Sequence, residues 1–241
     1  MKNVKKMIQL VSAMMLCCLL MANIFSTHAN AAANIQAEPN VQLYYAQFSG
    51  PSRASYESYF GYVAVKNLGS DKNVVIHYTK DGQTWNDLAA VYVKADPNDP
   101  EYDIYSFNIL TSPITFAIKY QVNGQTYWDN NDGNNYHMEN PNLVVLGKSF
   151  VKTVTINNNP TIIYVKNLAY QKTVKIRYTT NNWNSYQDVD AKFYKAENEN
   201  IDEWNIPQNI PTGTDVKYEV LYSVNGNTYI DNNFGDYYTN W

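Results

Sequence analysis

The chain has almost no cysteine: of its 241 residues only Cys17 and Cys18 are of this type, and they lie side by side near the amino terminus. Both fall within a segment that we expect to be removed on secretion, so the expected mature chain has none. This absence excludes disulfides, thiolate metal sites and a cysteine nucleophile, and it leaves stability to core packing.

Positive charge is also scarce, with 18 lysines and arginines against 22 aspartates and glutamates and a net charge of −4. Loss of the three lysines among residues 2–6 would bring the net charge to −7. A surface of this sign repels nucleic acid and anionic lipid, so neither is expected as a partner. Histidine is equally rare, and only His77 and His137 lie outside the first 31 residues, which leaves little material for nucleophile–base catalysis.

The amino terminus has the layout of a secretory signal. Three lysines among residues 2–6 precede an apolar run over residues 7–25, and Ala29-Asn30-Ala31 forms a small-x-small cleavage site. We therefore predict a signal peptide over residues 1–31, cleaved after Ala31, and a secreted, extracellular protein without a membrane anchor. An uncleaved anchor is the alternative, because the apolar run could just span a bilayer about 30 Å thick.

The remaining sequence consists of two tandem repeats. Val65-Lys66-Asn67-Leu68 recurs as Val165-Lys166-Asn167-Leu168, and Tyr120-Gln121-Val122-Asn123-Gly124 has its counterpart in Tyr222-Ser223-Val224-Asn225-Gly226. A period of about 100 residues is too long for a solenoid unit, so each copy should be a domain. We predict a first repeat over residues 32–140 and a second repeat over residues 141–241, which abut with little freedom because almost no linker separates them.

Each repeat has the pattern of an all-β domain. Short β-branched or aromatic runs such as Tyr62-Val63-Ala64-Val65 and Val174-Lys175-Ile176-Arg177-Tyr178 alternate as strands of a sandwich do. Asn123-Gly124 and Asn225-Gly226 lie between such runs, and Asn-Gly is typical of a type I′ hairpin turn. No helix is expected in the mature chain.

The ordered motifs resemble family 21 of the carbohydrate-binding modules, which bind starch or glycogen. The resemblance rests on Val-Lys-Asn-Leu, a strand ending in Tyr-Thr, a turn tryptophan at Trp85 or Trp183, and Tyr-x-Val-Asn-Gly-x-Thr-Tyr followed by Asp-Asn-Asn, all found twice in order. It implies two tandem immunoglobulin-like antiparallel β-sandwich modules and an α-glucan ligand: starch, glycogen or malto-oligosaccharides. A separately secreted amylase is the candidate enzymatic partner.

The resemblance also implies two kinds of glucan site. The first kind uses the turn tryptophan and the aromatic residue after Thr-Tyr. Its matching residues are Trp85, Trp128, Asn67, Asn130 and Asn135 in the first repeat and Trp183, Asn167 and Asn232 in the second. Ile230 replaces the second aromatic residue and Tyr237 stands where Asn135 stands, so the site of the second repeat should be weaker or reshaped.

The second kind of site uses a tyrosine just after Lys-Asn-Leu and an aromatic residue in a later strand. Tyr170 and Phe193 match it in the second repeat. In the first repeat Tyr92 matches but Ser70 replaces the tyrosine, so the resemblance implies one well-formed site in each repeat, of different kinds. Flat aromatic rings suit the apolar face of glucose, and asparagine amides both donate to and accept from its hydroxyl groups.

Two other functions remain open at this point. A small glycoside hydrolase would need two carboxylates about 5–10 Å apart, and two acidic loops offer candidates. These carboxylates are Asp96, Asp99, Glu101 and Asp103 in one loop and Glu197, Glu199, Asp202 and Glu203 in the other. A structural or adhesive β-sandwich that binds a protein partner or another polysaccharide is the second alternative. We predict a non-catalytic protein with no cofactor, and no metal site, because Asp129–Gly133 departs from the EF-hand calcium loop.

Overall fold

The computed structural model describes residues 38–49, 58–110, 114–139, 144–156, 159–207 and 210–240. The predicted signal over residues 1–31 and the predicted boundary near residues 140–141 lie outside these ranges. Within them the chain forms strands, turns and bends but no helix. No segment of this described part is therefore a helix long and apolar enough to cross a membrane.

Nineteen strands make up this part of the chain. The strands with most of their residues in the first repeat are β1 Val41–Ser49, β2 Ser58–Lys66, β3 Asn73–Thr79, β4 Trp85–Ala89, β5 Val91–Ala95, β6 Tyr102–Ile109, β7 Ile114–Val122, β8 Gln125–Asp129 and β9 Tyr136–Met138. Those that follow are β10 Val144–Leu146, β11 Val151–Ile156, β12 Asn159–Lys166, β13 Lys172–Thr179, β14 Gln187–Asp190, β15 Lys192–Asn198, β16 Ile201–Asn205, β17 Gly213–Val224, β18 Asn227–Asp231 and β19 Tyr238–Asn240.

The first repeat consists of two antiparallel sheets. One has the strand order β1-β2-β6-β5, to which β10 of the second repeat adds beside β1, and the other has the order β4-β3-β7-β8, with β9 also paired to β7. Alternate residues of β7 point inward, as the period of two along a strand requires. These are Ile114, Phe116, Ile118, Tyr120 and Val122, all in the hydrophobic core.

The second repeat has the same plan. Strands β11-β12-β16-β15 form one sheet and β14-β13-β17-β18 form the other, to which β19 adds by pairing with β17. The equivalent long strand β17 supplies Val216, Tyr218, Val220, Tyr222 and Val224 to its core. The prediction of an all-β protein with antiparallel, immunoglobulin-like sandwiches is thus confirmed.

The motifs of the repeat have structural duties at equivalent places. The Asp129 carboxylate accepts a hydrogen bond from the Leu43 amide at 2.6 Å and from the Tyr136 hydroxyl at 2.9 Å, so it connects three strands. Asp231 does the same with the Thr153 amide and the Tyr238 hydroxyl. The first aspartate of each Asp-Asn-Asn motif therefore stabilises the sandwich and is not free for a ligand.

The predicted hairpin turns are present. Asn123 and Gly124 have φ angles of 51° and 71°, and Asn225 and Gly226 have 51° and 78°. Two successive positive φ angles are what a type I′ turn requires, and the turns connect β7 to β8 and β17 to β18.

Strand β10 joins the two repeats. It follows the first repeat in the sequence but pairs with β1, with Tyr45 opposite Leu146 and Gln47 opposite Val144. Its Val144 side chain packs with Tyr164 and Ile201 of the second repeat. Backbone pairing on one side and side-chain packing on the other therefore hold the repeats together.

Candidate functional site

The first repeat presents a cluster of three rings on the outer face of its β4-β3-β7-β8 sheet. The His77 imidazole stacks on the Trp85 indole, with centroids 4.7 Å apart and planes inclined by 9°. Trp128 meets the same imidazole edge-on at 5.9 Å. We call His77, Trp85 and Trp128 the first ring cluster.

Strand alternation determines which rings of this repeat face the solvent. Tyr127 packs partly against the core, and the adjacent Trp128 points outward with half of its surface exposed. Of the two aromatic residues of the Thr-Tyr-Trp segment, Trp128 is therefore the one available to a ligand.

Two charged residues fix the edges of the first ring cluster. Asp87 lies opposite His77 in the β3–β4 pairing, and its carboxylate is 2.5 Å from His77 Nδ1. Lys119 Nζ donates to the other Asp87 oxygen at 3.0 Å and lies 5.9 Å from the Trp128 ring centroid. The hydrogen bonds from His77 and Lys119 hold the pKa of the Asp87 carboxyl below its usual range. The result is a cluster of aromatic rings, two of them stacked and the third nearly perpendicular to them, with polar groups at its border.

His77, Asp87 and Lys119 were not among the residues predicted from the sequence. Strand register is the information that identifies them, because it pairs residues across neighbouring strands. Thr79 lies opposite Trp85, His77 opposite Asp87, and Lys119 opposite Trp128. A sequence motif does not contain that information, because the three strands come from separate segments.

The loop that follows β8 carries the predicted Asn130 and Asn135. The Asn130 side-chain oxygen accepts from the Gly133 amide at 3.0 Å, and its carbonyl accepts from the Asn135 amide at 2.7 Å. Asn135 has a φ of 57°. Both asparagines thus shape this loop, and Asn232 has the same role in the second repeat through the Gly235 amide.

The second repeat places Trp183 on Tyr237. Their ring centroids are 4.6 Å apart with planes inclined by 44°. The Trp183 amide is capped by the Thr179 hydroxyl at 3.0 Å, and its backbone has a φ of 68°. The indole nitrogen is buried without a hydrogen-bond partner among the described residues, so the polar edge of the ring is not exposed to solvent. We call Trp183 and Tyr237 the second ring pair.

Strand register separates Trp183 from the position that Trp85 holds. Tyr78 and Tyr178 are equivalent residues of the two repeats. The residue opposite Tyr78 is Asn86, which directly follows Trp85, whereas the residue opposite Tyr178 is Gln187, which directly follows Tyr186. Tyr186 therefore takes the place of Trp85, and it stacks on the Arg177 guanidinium at 4.0 Å as Trp85 stacks on His77. Matching the tryptophans by sequence missed Tyr186, because the turn in the second repeat is one residue longer.

Other positions of this face differ between the repeats. Arg177 forms two hydrogen bonds with Asp188, at 2.8 and 2.9 Å, which raise the pKa of the guanidinium and lower that of the carboxyl. Ile230 stands opposite Leu221 as Trp128 stands opposite Lys119, and it is 49% exposed. The second repeat thus has an aliphatic side chain where the first has an indole.

The predicted Asn67 and Asn167 lie away from the rings. The Asn167 side-chain oxygen accepts from Nζ of Lys172, the first residue of β13, at 2.5 Å. Trp183 lies beyond the other end of that strand, four residues after its last residue, Thr179. The eight residues of β13 span roughly 25 Å at about 3.3 Å each. Asn67 takes the corresponding position before β3, and its backbone amide donates to the Glu101 backbone carbonyl. These two asparagines and the tryptophans therefore do not form one site.

The residues predicted for the second kind of site are well exposed. Tyr170 is 99% exposed beside an open groove of about 900 Å³ that includes Lys172, Thr173 and Asn225. Phe193 is half exposed on β15 against Trp204, and it does not line that groove. Tyr92 has the equivalent position on β5, where its ring meets Tyr105.

Most of the acidic loop residues are engaged in ion pairs. Lys148 pairs with Asp99 at 2.7 Å, and Lys72 pairs with Asp103 at 2.8 Å. Lys172 pairs with Asp202, and Lys195 contacts both Glu197 and Glu203. Asp96 is buried, and burial raises the pKa of its carboxyl. In the described part of the chain no group of three or more metal-ligating side chains is placed to hold an ion.

Comparison with known proteins shows that the chain matches a family profile and resembles several curated proteins. The profile of the carbohydrate/starch-binding module (family 21) matches residues 35–139 and again residues 141–240. Protein phosphatase 1 regulatory subunit 3C of Bos taurus is 38% identical over 86 residues, which is 32% of this chain and 27% of that protein. Glucoamylase 1 of Rhizopus oryzae is 32% identical over 113 residues, which is 45% of this chain and 18% of that enzyme.

Among solved structures, the starch-binding domain of Rhizopus oryzae glucoamylase, determined with β-cyclodextrin and maltoheptaose, is 29% identical and matches with a TM-score of 0.35. The match covers 44% of this chain and 99% of that domain. The chain spans less than a third of the length of the two curated relatives named here.

Proposed function

Because this chain belongs to the family 21 carbohydrate/starch-binding modules, we propose that it is a secreted, non-catalytic protein that binds α-glucan through aromatic rings of both repeats. The family and its carbohydrate ligand class are the premise. Secretion, the absence of catalysis and the use of both repeats are the proposal.

The observation that carries the proposal is the first ring cluster. A glucose unit has an apolar face of C–H groups and a rim of hydroxyl groups, so it needs a flat ring bordered by donors and acceptors. Trp85 and Trp128 supply two indoles on one sheet face, and Asp87 and Lys119 supply the polar border. The rings are held by ordered strands, so little side-chain freedom is lost on binding.

The second repeat supports the same ligand with different rings. Trp183 and Tyr237 form a contact pair, and Tyr170 projects into solvent beside an open groove. Single contacts on open surfaces are weak, on the order of micromolar to millimolar. Two surfaces that engage one polymer would raise the apparent affinity by roughly 10²–10⁴-fold.

The state of the carboxylates supports a non-catalytic role. A glycosidase needs one protonated acid and one free carboxylate across a cleft. Asp99, Asp103 and Asp202 are each paired with a lysine, as described above. We propose that these acids stabilise the loops, and that any hydrolysis of the bound polymer is done by a separately secreted amylase.

The first test is retention of the secreted protein on insoluble starch, with cellulose as the control polymer and β-cyclodextrin as the competitor. We expect retention on starch alone, released by the competitor and reduced in Trp85→Ala and Trp128→Ala. Leu110→Ala is the matched control, because Leu110 is exposed but lies outside the ring clusters. Passage of the wild-type protein through starch without retention would overturn the proposal and favour a protein partner or another polysaccharide.

Secretion is tested separately. The amino-terminal residue of the protein recovered from the culture medium should be Ala32, as read by mass spectrometry. Recovery only in cell extracts with the first 31 residues attached would contradict it.

A further inference from the structure

The loop that carries Tyr237 lies against the first repeat. Its Phe234 ring packs among three tyrosines of β1 and β2, with centroid distances of 4.9 Å to Tyr44, 6.4 Å to Tyr45 and 5.0 Å to Tyr62. The same ring joins a hydrophobic cluster that contains Ile104. A residue of the second repeat therefore completes an apolar patch on the outer face of the first.

A lysine of the first repeat holds the backbone of the same loop. Lys94 Nζ donates to the Phe234 carbonyl at 2.9 Å and to the Asp236 carboxylate at 2.8 Å. Pro97 lies beside Gly235, since a Cβ built on that glycine would be 3.7 Å from the proline ring. Three consecutive residues of the loop thus contact the first repeat.

The loop places two aromatic residues in a backbone conformation that is unfavourable for them. Asn233, Phe234 and Tyr237 have φ angles of 55°, 56° and 60°. Asparagine tolerates this region, whereas an aromatic residue adopts it only where its surroundings impose it. The conformation matters for the binding surface, because it directs the Tyr237 ring onto Trp183, whose own φ is 68°.

The equivalent loop of the first repeat shows that the turn itself does not need a docked ring. Asp132 stands where Phe234 stands, with a φ of 55°, and it is exposed. Asn135 stands where Tyr237 stands. Phe234 is therefore explained by the contact that it makes with the first repeat. Within the described ranges, the loop of the first repeat has no such contact at Asp132, which is exposed.

We propose that the first repeat is part of the binding site of the second: Lys94 and the pocket of Tyr44, Tyr45 and Tyr62 position the Asn232–Tyr237 loop, so that Tyr237 and Trp183 form one surface for an α-glucan chain. Lys94 and Phe234 are positioning residues, which act through Tyr237 and need not touch the ligand. The inference rests on the proposed function, since the ligand is the same.

The test isolates the second site in the complete protein. Trp85→Ala, Trp128→Ala and Tyr170→Ala together remove the other rings proposed to bind the ligand, and the remaining affinity for maltoheptaose is measured by calorimetry. In this background Lys94→Met and Phe234→Asp should each weaken binding by about tenfold, because a ring that is no longer preorganised must be ordered on binding. Lys94→Arg should restore most of it, since a guanidinium can donate to the same carbonyl and carboxylate.

A matched control is available on the second repeat. Lys195 lies on β15, the counterpart of β5, and pairs with acids of its own repeat, so Lys195→Met should leave the affinity unchanged. A purely structural effect is separated by a second background, Trp183→Ala, in which Lys94→Met should not change binding at the first ring cluster.

Two outcomes would contradict the positioning role, and a third would contradict the binding site itself. Retention of second-site affinity within twofold in both Lys94→Met and Phe234→Asp would overturn the positioning role. Equal losses at both sites would overturn it as well, because they would indicate general unfolding. Absence of any maltoheptaose binding in the background that lacks the Trp85, Trp128 and Tyr170 rings, with Lys94 intact, would instead refute a binding site at Trp183 and Tyr237.

Discussion

Trp128 and Ile230 occupy equivalent positions in the two repeats: each follows a Thr-Tyr pair, each points out of its sheet, and each is about half exposed, at 50% and 49%. The ring clusters around them differ accordingly. An indole at this position completes a surface of two tryptophans and a histidine, whereas isoleucine leaves Tyr186 and Arg177 as the neighbouring stack.

Exchange of these side chains should shift affinity from one repeat to the other. Trp128→Ile should weaken α-glucan binding at the first repeat by about 1 kcal/mol, or roughly fivefold, because an aromatic contact is replaced by an aliphatic one. Ile230→Trp should strengthen binding at the second repeat. Calorimetry with maltoheptaose on each single variant measures both changes, and a gain of affinity in Trp128→Ile would contradict this role of the ring.

Acidification should loosen the first ring cluster. The folded-state pKa of Asp87 lies below the usual value of 3.8, mainly because of its hydrogen bonds to His77 and Lys119. The stabilisation it provides is therefore complete above that usual value and is lost as the pH falls through the lower, folded pKa. Since Asp87 is exposed, the effect on the free energy of unfolding should stay under about 1 kcal/mol.

The measurement is thermal unfolding from pH 6 to pH 2 in the wild-type protein and in Asp87→Asn. The stability difference between them should shrink as the pH falls. A difference that is the same at pH 6 and pH 2 would show that the Asp87 charge contributes nothing.

Loss of the carboxylate at Asp129 should destabilise the first sandwich. Asp129→Asn replaces the carboxylate that accepts from the Leu43 amide and the Tyr136 hydroxyl by a side-chain amide, which cannot accept through both of its terminal atoms. We expect a loss of about 1–3 kcal/mol in urea unfolding. Asp132→Asn, in the exposed part of the same loop, is the control and should change stability by less than about 0.5 kcal/mol.

Lys152 should make stability rise with pH. It lies buried with its Nζ 2.8 Å from the Tyr238 hydroxyl and 4.5 Å from the Tyr45 ring centroid, and burial lowers the pKa of its ammonium. The unfolded state keeps the proton up to the usual pKa of 10.5, so between the two values it binds more protons than the native state. Stability gains with pH in that interval.

Comparison with Lys152→Met isolates this contribution, because the tyrosines titrate in both proteins. The free energy of unfolding of the wild type relative to Lys152→Met should increase from pH 7 to pH 10. A relative decrease would show that the buried ammonium is better stabilised in the fold than in water.

Local patterns were sufficient for much of the fold. The period of two in β7 predicts its inward residues, and Asn123-Gly124 predicts the turn that follows, because side-chain alternation and positive φ angles depend on neighbours in the chain. The 100-residue repeat predicted two similar sandwiches. For the binding surfaces the resemblance to the family, and not these local patterns, implied Trp85, Trp128 and Trp183 as candidates. It joined them to Asn67 and Asn167, which lie at the other ends of the strands.

The sequence by itself determined the all-β class, the duplication, the hairpins and the aromatic residues from which a carbohydrate surface could be built. Only the tertiary structure decided that His77 lies between two tryptophans, that Tyr186 takes the place of Trp85, and that Phe234 docks on the other repeat. The physical reason is that alternation and turn chemistry act over a few residues. Strand register and the packing of one repeat on another bring together side chains up to about 190 positions apart, such as Tyr44 and Phe234, through contacts that no local pattern encodes.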